Sequence, residues 1–177
     1  MKAVLISIQP KWCELIARGK KTIEVRKTKP KLETPFRVYI YCTKDKNFNF
    51  CTDNGEQYTH IGNGKVIGEF VCDKMIDIDY GIEEGVYFDG EYQQGFETNG
   101  DGNNPTCLSF VELENYLTKN EGYGWHISNL VIYDKPKELK EFSVPKDYKT
   151  STQQKQRIYK AGLKVPQSWC YVEEREG

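Results

Sequence analysis

The chain has 177 residues, 29% of them charged and 38% hydrophobic, with a formal net charge of −1; this is the profile of a globular protein and excludes a disordered or fibrous one. The near-neutral total also argues against a protein that coats duplex nucleic acid, because that mode needs many phosphate contacts spread over one basic face. The opening MKAVLISIQP holds an apolar run of only six residues, Ala3 to Ile8, too short for a signal peptide or a membrane span, so a cytoplasmic protein with no membrane partner is expected.

AVLISI reads as a buried strand, and Pro10 stands where the first turn of a helix tolerates proline. KWCELIARG places Trp12, Leu15 and Ile16 at helical spacing, with Gly19 positioned to end the helix. KTIEVRK alternates Ile23 and Val25 against Thr22, Glu24 and Arg26, the period of a half-buried strand whose polar face carries those three residues. FRVYIYC at 36–42 reads as a strand with Phe36, Val38 and Ile40 on one side and Arg37, Tyr39 and Tyr41 on the other. Residues 43–63 read as a loop, and β character resumes from Lys65 to about Ile78, where Gly68 marks a bulge or a close backbone approach.

A second long loop is expected from Phe88 to Pro105. Ser109 and Glu112 form a capping box that predicts a helix over 110–119. WHISNLVIYDKP reads as a strand ended by Pro136, and KPKELKEF as a turn or one helical turn. SWCYVEE follows a basic, glutamine-rich segment at 149–164 and reads as the last strand. The sum is an α+β chain, a single domain over 1–177 with long loops near 43–63 and 88–105, built as a small mixed β-barrel with two or three short flanking helices.

Charge is unevenly placed. Lys11 to Lys31 holds eight cations against Glu14 and Glu24, and Asp73 to Asp101 holds nine acids against Lys74. The six cysteines show no C-x-x-C pair and read as free, mostly buried thiols; Cys42, Cys51, His60 and Cys72 are too widely spaced to make a strong metal signal. Asn99, Asp101 and Asn103 suggest a calcium loop, but Asn104 stands where glycine is needed and Phe110 where the bidentate glutamate belongs. No metal and no cofactor are expected.

The corner GKKTIEVRK carries the G-x-K-T-x-E-x-R pattern in Gly19, Lys21, Thr22, Glu24 and Arg26. With KVIGEFVCDK, GYGWHISNLVIYDKPKEL and PQSWCYVEE, it resembles bacterial and prophage members of the ASCH family of the PUA-like superfamily. The resemblance implies a β-barrel with flanking helices, a cleft beside the first helix, and a role in binding RNA or modified bases. One similar branch hydrolyses acetylated cytidine with a lysine and a threonine of this corner and a distant glutamate. Lys21 keeps the lysine, Glu24 stands in place of the threonine, and no residue here is assigned to the distant glutamate.

Lys is a point charge and Arg a planar fork for phosphate, so the corner is either an anion site or a solvated charged face. The candidate nucleic-acid-binding residues are Lys11, Trp12, Lys21, Thr22, Glu24, Arg26, Trp125 and His126, with Glu24 orienting the cations or accepting from a base's amino edge. Trp12, Trp125, Trp169, Tyr39, Tyr41 and Tyr171 are flat surfaces for stacking or, more plainly, core residues. Trp125 and His126 follow a glycine-flanked turn and point to opposite faces, and His126 and Ser168 have no catalytic partner nearby in sequence. The leading expectation is a binder of single-stranded RNA or a nucleotide-like ligand. A hydrolase of modified nucleosides or RNA, in which Lys21 and Glu24 act as acid and base, is the alternative. A third reading is a prophage protein-interaction module whose acidic 73–101 segment meets a protein partner.

Overall fold

The computed structural model describes residues 1–52, 60–81, 85–93, 96, 104–117, 119–145 and 162–175. The chain divides into two compact units, one made of residues 1–14, 36–70 and 129–177, the other of 15–35 and 71–128. Asn99, Asp101, Asn103 and most of the 149–164 segment lie outside the described residues.

The first unit is organised by β1 (Lys2–Ile8), β3 (Phe36–Cys42), β6 (Val66–Cys72), β11 (Ser128–Lys137) and β12 (Trp169–Glu173), which form a five-stranded sheet in the order β11-β6-β3-β1-β12. β1 runs parallel to β3 and antiparallel to β12. Both faces of β1 are covered, which is why its sequence is a continuous apolar run and not an alternating one. Ala3, Leu5, Tyr39, Tyr41 and Val172 pack with Val66 and Phe142 on one face, where Leu139 and Leu163 close over them. Tyr39 and Phe142 meet edge to face at 5.0 Å. At the edge of this cluster Arg37 is held by Glu69 and Glu174, and the Tyr133 hydroxyl donates to Glu69.

Residues 43–63, expected as a loop, contain a short ladder of β4 (Cys51–Thr52) and β5 (His60–Ile61). Gly68 is the close backbone approach that its place in a strand suggested, since a Cβ there would collide with the Val131 carbonyl oxygen of β11. Pro136 lies inside β11 rather than ending it. β11 is an edge strand, so the missing N–H costs no ladder bond on the open side.

The second unit carries β2 (Ile23–Arg26), β10 (Glu121–His126), β7 (Met75–Tyr80), β8 (Val86–Phe88) and β9 (Glu91–Gln93) in the order β2-β10-β7-β8-β9, every neighbouring pair antiparallel. α1 (Pro10–Ala17) enters this unit and stops at Gly19, whose φ of 69° is the left-handed value that favours glycine. α2 (Phe110–Tyr116) starts at the expected capping box, with Ser109 Oγ accepting from Glu112 N at 3.2 Å and Glu112 Oε2 accepting from Ser109 N at 3.0 Å.

Gly122 and Gly124 are not part of a turn, as their sequence context suggested, but lie inside β10. A Cβ at Gly122 would stand 2.6 Å from a Leu117 methyl, and one at Gly124 would stand 2.8 Å from an Ile23 methyl. The glycines therefore let the fully buried Leu117, beyond the end of α2, and Ile23 of β2 settle onto the sheet.

The expected closed barrel is not what the described residues form. Two open five-stranded sheets and one two-stranded ladder stand in its place, with two α-helices and a 3₁₀ turn at Leu139–Glu141. The break at Asp73 and Lys74, between β6 and β7, splits the long β segment and sends its halves into different sheets. No helix among the described residues is long and apolar enough to cross a membrane. None of the six cysteines is in a disulfide: Cys13, Cys42 and Cys72 are buried, Cys107 and Cys170 intermediate, and Cys51 exposed. Among the described residues no group of three or more His, Cys, Asp or Glu side chains is placed to hold a metal ion.

The fit of β11 over Gly68 predicts that Gly68→Ala destabilises the protein by about 1–3 kcal/mol through overpacking. Urea unfolding measures the loss, and an unchanged midpoint would show that β11 does not close tightly on β6 at this point.

Candidate functional site

The corner after α1 is shaped by its backbone. Gly19 N–H donates to Ile16 O at 2.8 Å, and the N–H groups of Lys20 and Lys21 both reach Leu15 O, at 2.9 and 3.1 Å. These bonds satisfy the open end of the helix and reverse the chain, leaving Lys20 exposed and Lys21 buried at 2% exposure. The N–H groups of Thr22 and Ile23 then share Pro105 O, at 2.9 and 3.0 Å, while the Thr22 carbonyl accepts from Ile127 N at 2.9 Å.

Alternation along β2 sorts its side chains as expected. Ile23 and Val25 take one face, and Glu24 and Arg26 the other. The strand is nonetheless buried on both faces and not half-buried: Glu24 is 6% and Arg26 7% exposed. Across the ladder Trp125 stands opposite Glu24 and Tyr123 opposite Arg26, so these residues share the charged face.

Lys21, Glu24 and Arg26 converge. Arg26 Nη2 lies 2.9 Å from Glu24 Oε1, and Lys21 Nζ lies 3.4 Å from Glu24 Oε2. Lys21 Nζ also donates to the Thr106 carbonyl at 2.5 Å. That carbonyl is held in place by a small polar knot. Asn104 Oδ1 accepts from Thr106 N at 3.0 Å and from Thr106 Oγ1 at 2.7 Å, Asn104 Nδ2 donates to Leu108 O at 2.6 Å, and Leu108 N donates to Thr106 Oγ1 at 3.2 Å. Asn104 and Thr106 are themselves buried.

Sequence reasoning missed both residues as part of the site, because Thr106 lies 85 residues from Lys21 in chain order. The available signal was Asn-Pro-Thr, a turn signature in front of a helix cap.

The cluster contains two cations and one carboxylate, all withdrawn from water. Burying an ion costs several kcal/mol even after relaxation. Burial accordingly pulls the Lys21 ammonium below its usual pKa, against the opposing pull of Glu24. Arginine keeps its charge in proteins, so Lys21 is the cation of the cluster that can give up a proton. Glu24 Oε2 faces the ammonium at ion-pair distance. Chemically the arrangement offers an amine of lowered basicity beside a carboxylate, an acid–base pair.

The remaining candidates fall elsewhere. Trp125 is fully buried, so its ring lies within the structure and not on its surface. His126 is on the opposite side of β10, with Nδ1 2.7 Å from Asp73 Oδ1, which holds that carboxyl below its ordinary pKa. Lys11 is exposed and lies 4.0 Å over the Trp12 ring in the first unit, and Thr22 is partly buried. Arg18, Lys20, Lys27, Lys29 and Lys31 are the exposed cations of the corner. Of these, Lys29 reaches Asp77 at 3.3 Å and lies 4.5 Å over Tyr123, and Lys27 lies 5.3 Å over Tyr116. The charged corner is thus two populations, a buried cluster and an exposed rim.

The buried cluster predicts an asymmetric mutational response. Glu24→Gln leaves two cations facing each other and should cost about 3–5 kcal/mol, more than Lys21→Met, which keeps the Arg26–Glu24 pair. Equal losses in urea unfolding would show that the three side chains do not act as a unit. A second expectation concerns pH. Between the depressed folded pKa of Lys21 and its ordinary value of 10.5, the unfolded chain binds more protons than the folded one, so the stability due to this lysine rises with pH. The stability gap between the unaltered protein and Lys21→Met should therefore widen from pH 7 to pH 10, and a gap that narrows would contradict the depressed value.

Among solved structures the chain is similar to an ASCH protein from Zymomonas mobilis, with a TM-score of 0.53 at 17% identity over 97% of this chain and 88% of that one. It is equally similar to a tyrosine-to-phenylalanine variant of that protein, with a TM-score of 0.52 at 16% identity over 98% of this chain and 92% of that one. These likenesses concern the fold alone. No curated protein matches the chain. The ASCH domain family model matches residues 6–161, which include the whole 19–26 corner and the Asn104–Thr106 knot, and the chain therefore belongs to the ASCH domain family.

Proposed function

We propose that this protein binds single-stranded RNA, or a nucleotide-like piece of it, at the basic corner that follows its first helix. The family is PUA-like and generally RNA-binding, which sets the class of ligand. The single observation that carries the reading is that the corner around the buried Lys21–Glu24–Arg26 cluster carries exposed cations at Arg18, Lys20, Lys27 and Lys31.

Exposed Arg18, Lys20, Lys27 and Lys31 extend the positive field beyond the cluster and steer an anionic strand toward it.

A second reading is a hydrolase of modified nucleosides or RNA. It is favoured by the depressed pKa of Lys21 beside Glu24, a pair able to exchange a proton. Turnover of an acylated nucleoside that disappears in a folded Glu24→Gln protein would place the protein in this class.

RNA binding is tested with exposed residues, whose replacement leaves the fold intact. Lys20→Ala combined with Lys27→Ala should weaken binding of a short single-stranded RNA and lower the slope of log K against log salt by roughly 1.4, about 0.7 for each phosphate no longer neutralised. An unchanged affinity and slope, measured by fluorescence anisotropy, would remove the corner as the binding surface.

A further inference from the structure

The register of the second sheet places Glu121 opposite Asp79, Asp79 opposite Tyr87, and Tyr87 opposite Tyr92, one residue from each of β10, β7, β8 and β9. Directly opposed residues share a face, so the four side chains form a row across the sheet with neighbours about 4.5–5.5 Å apart at Cβ. The other face of the same strands carries Ile78, Val86 and Phe88, which are buried. The row itself is open: Asp79 and Glu121 are exposed, Tyr87 is 36% and Tyr92 52% exposed.

Three features distinguish this row from an ordinary solvated surface. First, Asp77 of β7 is matched by Lys29, and Asp73 and Asp89, which flank strands of the sheet, by His126 and by Lys74 at 2.9 Å. Asp79 and Glu121 form no ion pair among the described residues, although like charges directly opposite each other in a sheet are destabilising. Second, the two rings are set against each other edge to face at 5.8 Å. Third, the Tyr87 ring lies over Gly85, where a Cβ would stand 3.0 Å from Cε2, and the Gly85 carbonyl accepts from Gly81 N at 3.0 Å. The ring is thus seated before any partner arrives, which reduces the ordering cost of binding.

We infer that the row Glu121–Asp79–Tyr87–Tyr92 is a docking face for a lysine- or arginine-rich segment of a partner protein. Two adjacent carboxylates take one cationic head, whose arrival removes their mutual repulsion, and the tyrosine faces take a second head or the apolar stem of the first. The exposed carboxylates of Asp79, Glu121 and Glu91 give the approach a matching field and repel RNA from this row. The inference stands apart from the RNA reading, since it uses none of the residues of the basic corner.

Fluorescein-labelled deca-lysine at low ionic strength is the probe, read by anisotropy. Asp79→Asn with Glu121→Gln should weaken its binding about tenfold or more, and Tyr87→Leu with Tyr92→Leu, which keeps apolar bulk, about five- to thirtyfold. Glu33→Gln with Glu114→Gln, two exposed acids outside the row, should leave it nearly unchanged. Equal weakening by the outside pair would reduce the attraction to diffuse charge and overturn the inference, as would indifference to the tyrosine pair. A dimer that dissociates in the row variants would assign the face to a second copy of this chain, and RNA affinity lost in the tyrosine variant would assign it to base stacking; either result also overturns it.

Discussion

A carboxylate set between two cations and withdrawn from water is the constraint around which the corner of the second unit is arranged. Glu24 sits within 2.9 Å of Arg26 and 3.4 Å of Lys21, and the three are brought together by separate local devices. The helix stop at Gly19 turns Lys21 inward, strand alternation places Glu24 and Arg26 on one face, and the Asn104–Thr106 knot presents the carbonyl that receives the lysine. Loss of any one of these devices would leave a buried charge without its partner. Such a loss is far more costly than the pair is favourable, because desolvation is not recovered when one member is removed. The corner is therefore defined tightly although it consists mostly of polar residues.

The same unit separates charge by role. Paired charges occupy the cluster and the bridges at Asp73, Asp77 and Asp89. Among those left outward-facing are the cations at the rim of the corner and the carboxylates of the Glu121–Asp79 row. A net charge near zero conceals this division. Local fields and not the total decide which partners approach a surface, since screening limits each to about 10 Å at moderate salt.

The elements were legible wherever local physics decides them. Strands at 2–8, 36–42 and 169–173, the helix start at Pro10, the glycine stop at Gly19 and the capping box at Ser109 all stand where the sequence puts them. Each depends on residues within a few positions of one another. The barrel expectation did not hold, because closure is a property of which strands pair, and the break at Asp73–Lys74 sends β6 and β7 into separate open sheets. The reading of Gly122 and Gly124 as turn residues failed for a related reason. Their small size answers to Leu117 and Ile23, side chains supplied by other parts of the chain.

For the site, the sequence by itself determined the residue types and their faces: Lys21 at the corner, Glu24 and Arg26 on one side of a strand, Trp125 and His126 on opposite sides of another. Only the tertiary structure decided that this charged face is buried, that Trp125 is enclosed beside it, and that a carbonyl 85 residues away receives the lysine. Alternation reports which side chains point together, since it follows from backbone geometry alone. What covers them depends on chain segments brought near by folding, and burial is what turns an ordinary ion pair into a cluster with a depressed lysine and two cations on one carboxylate.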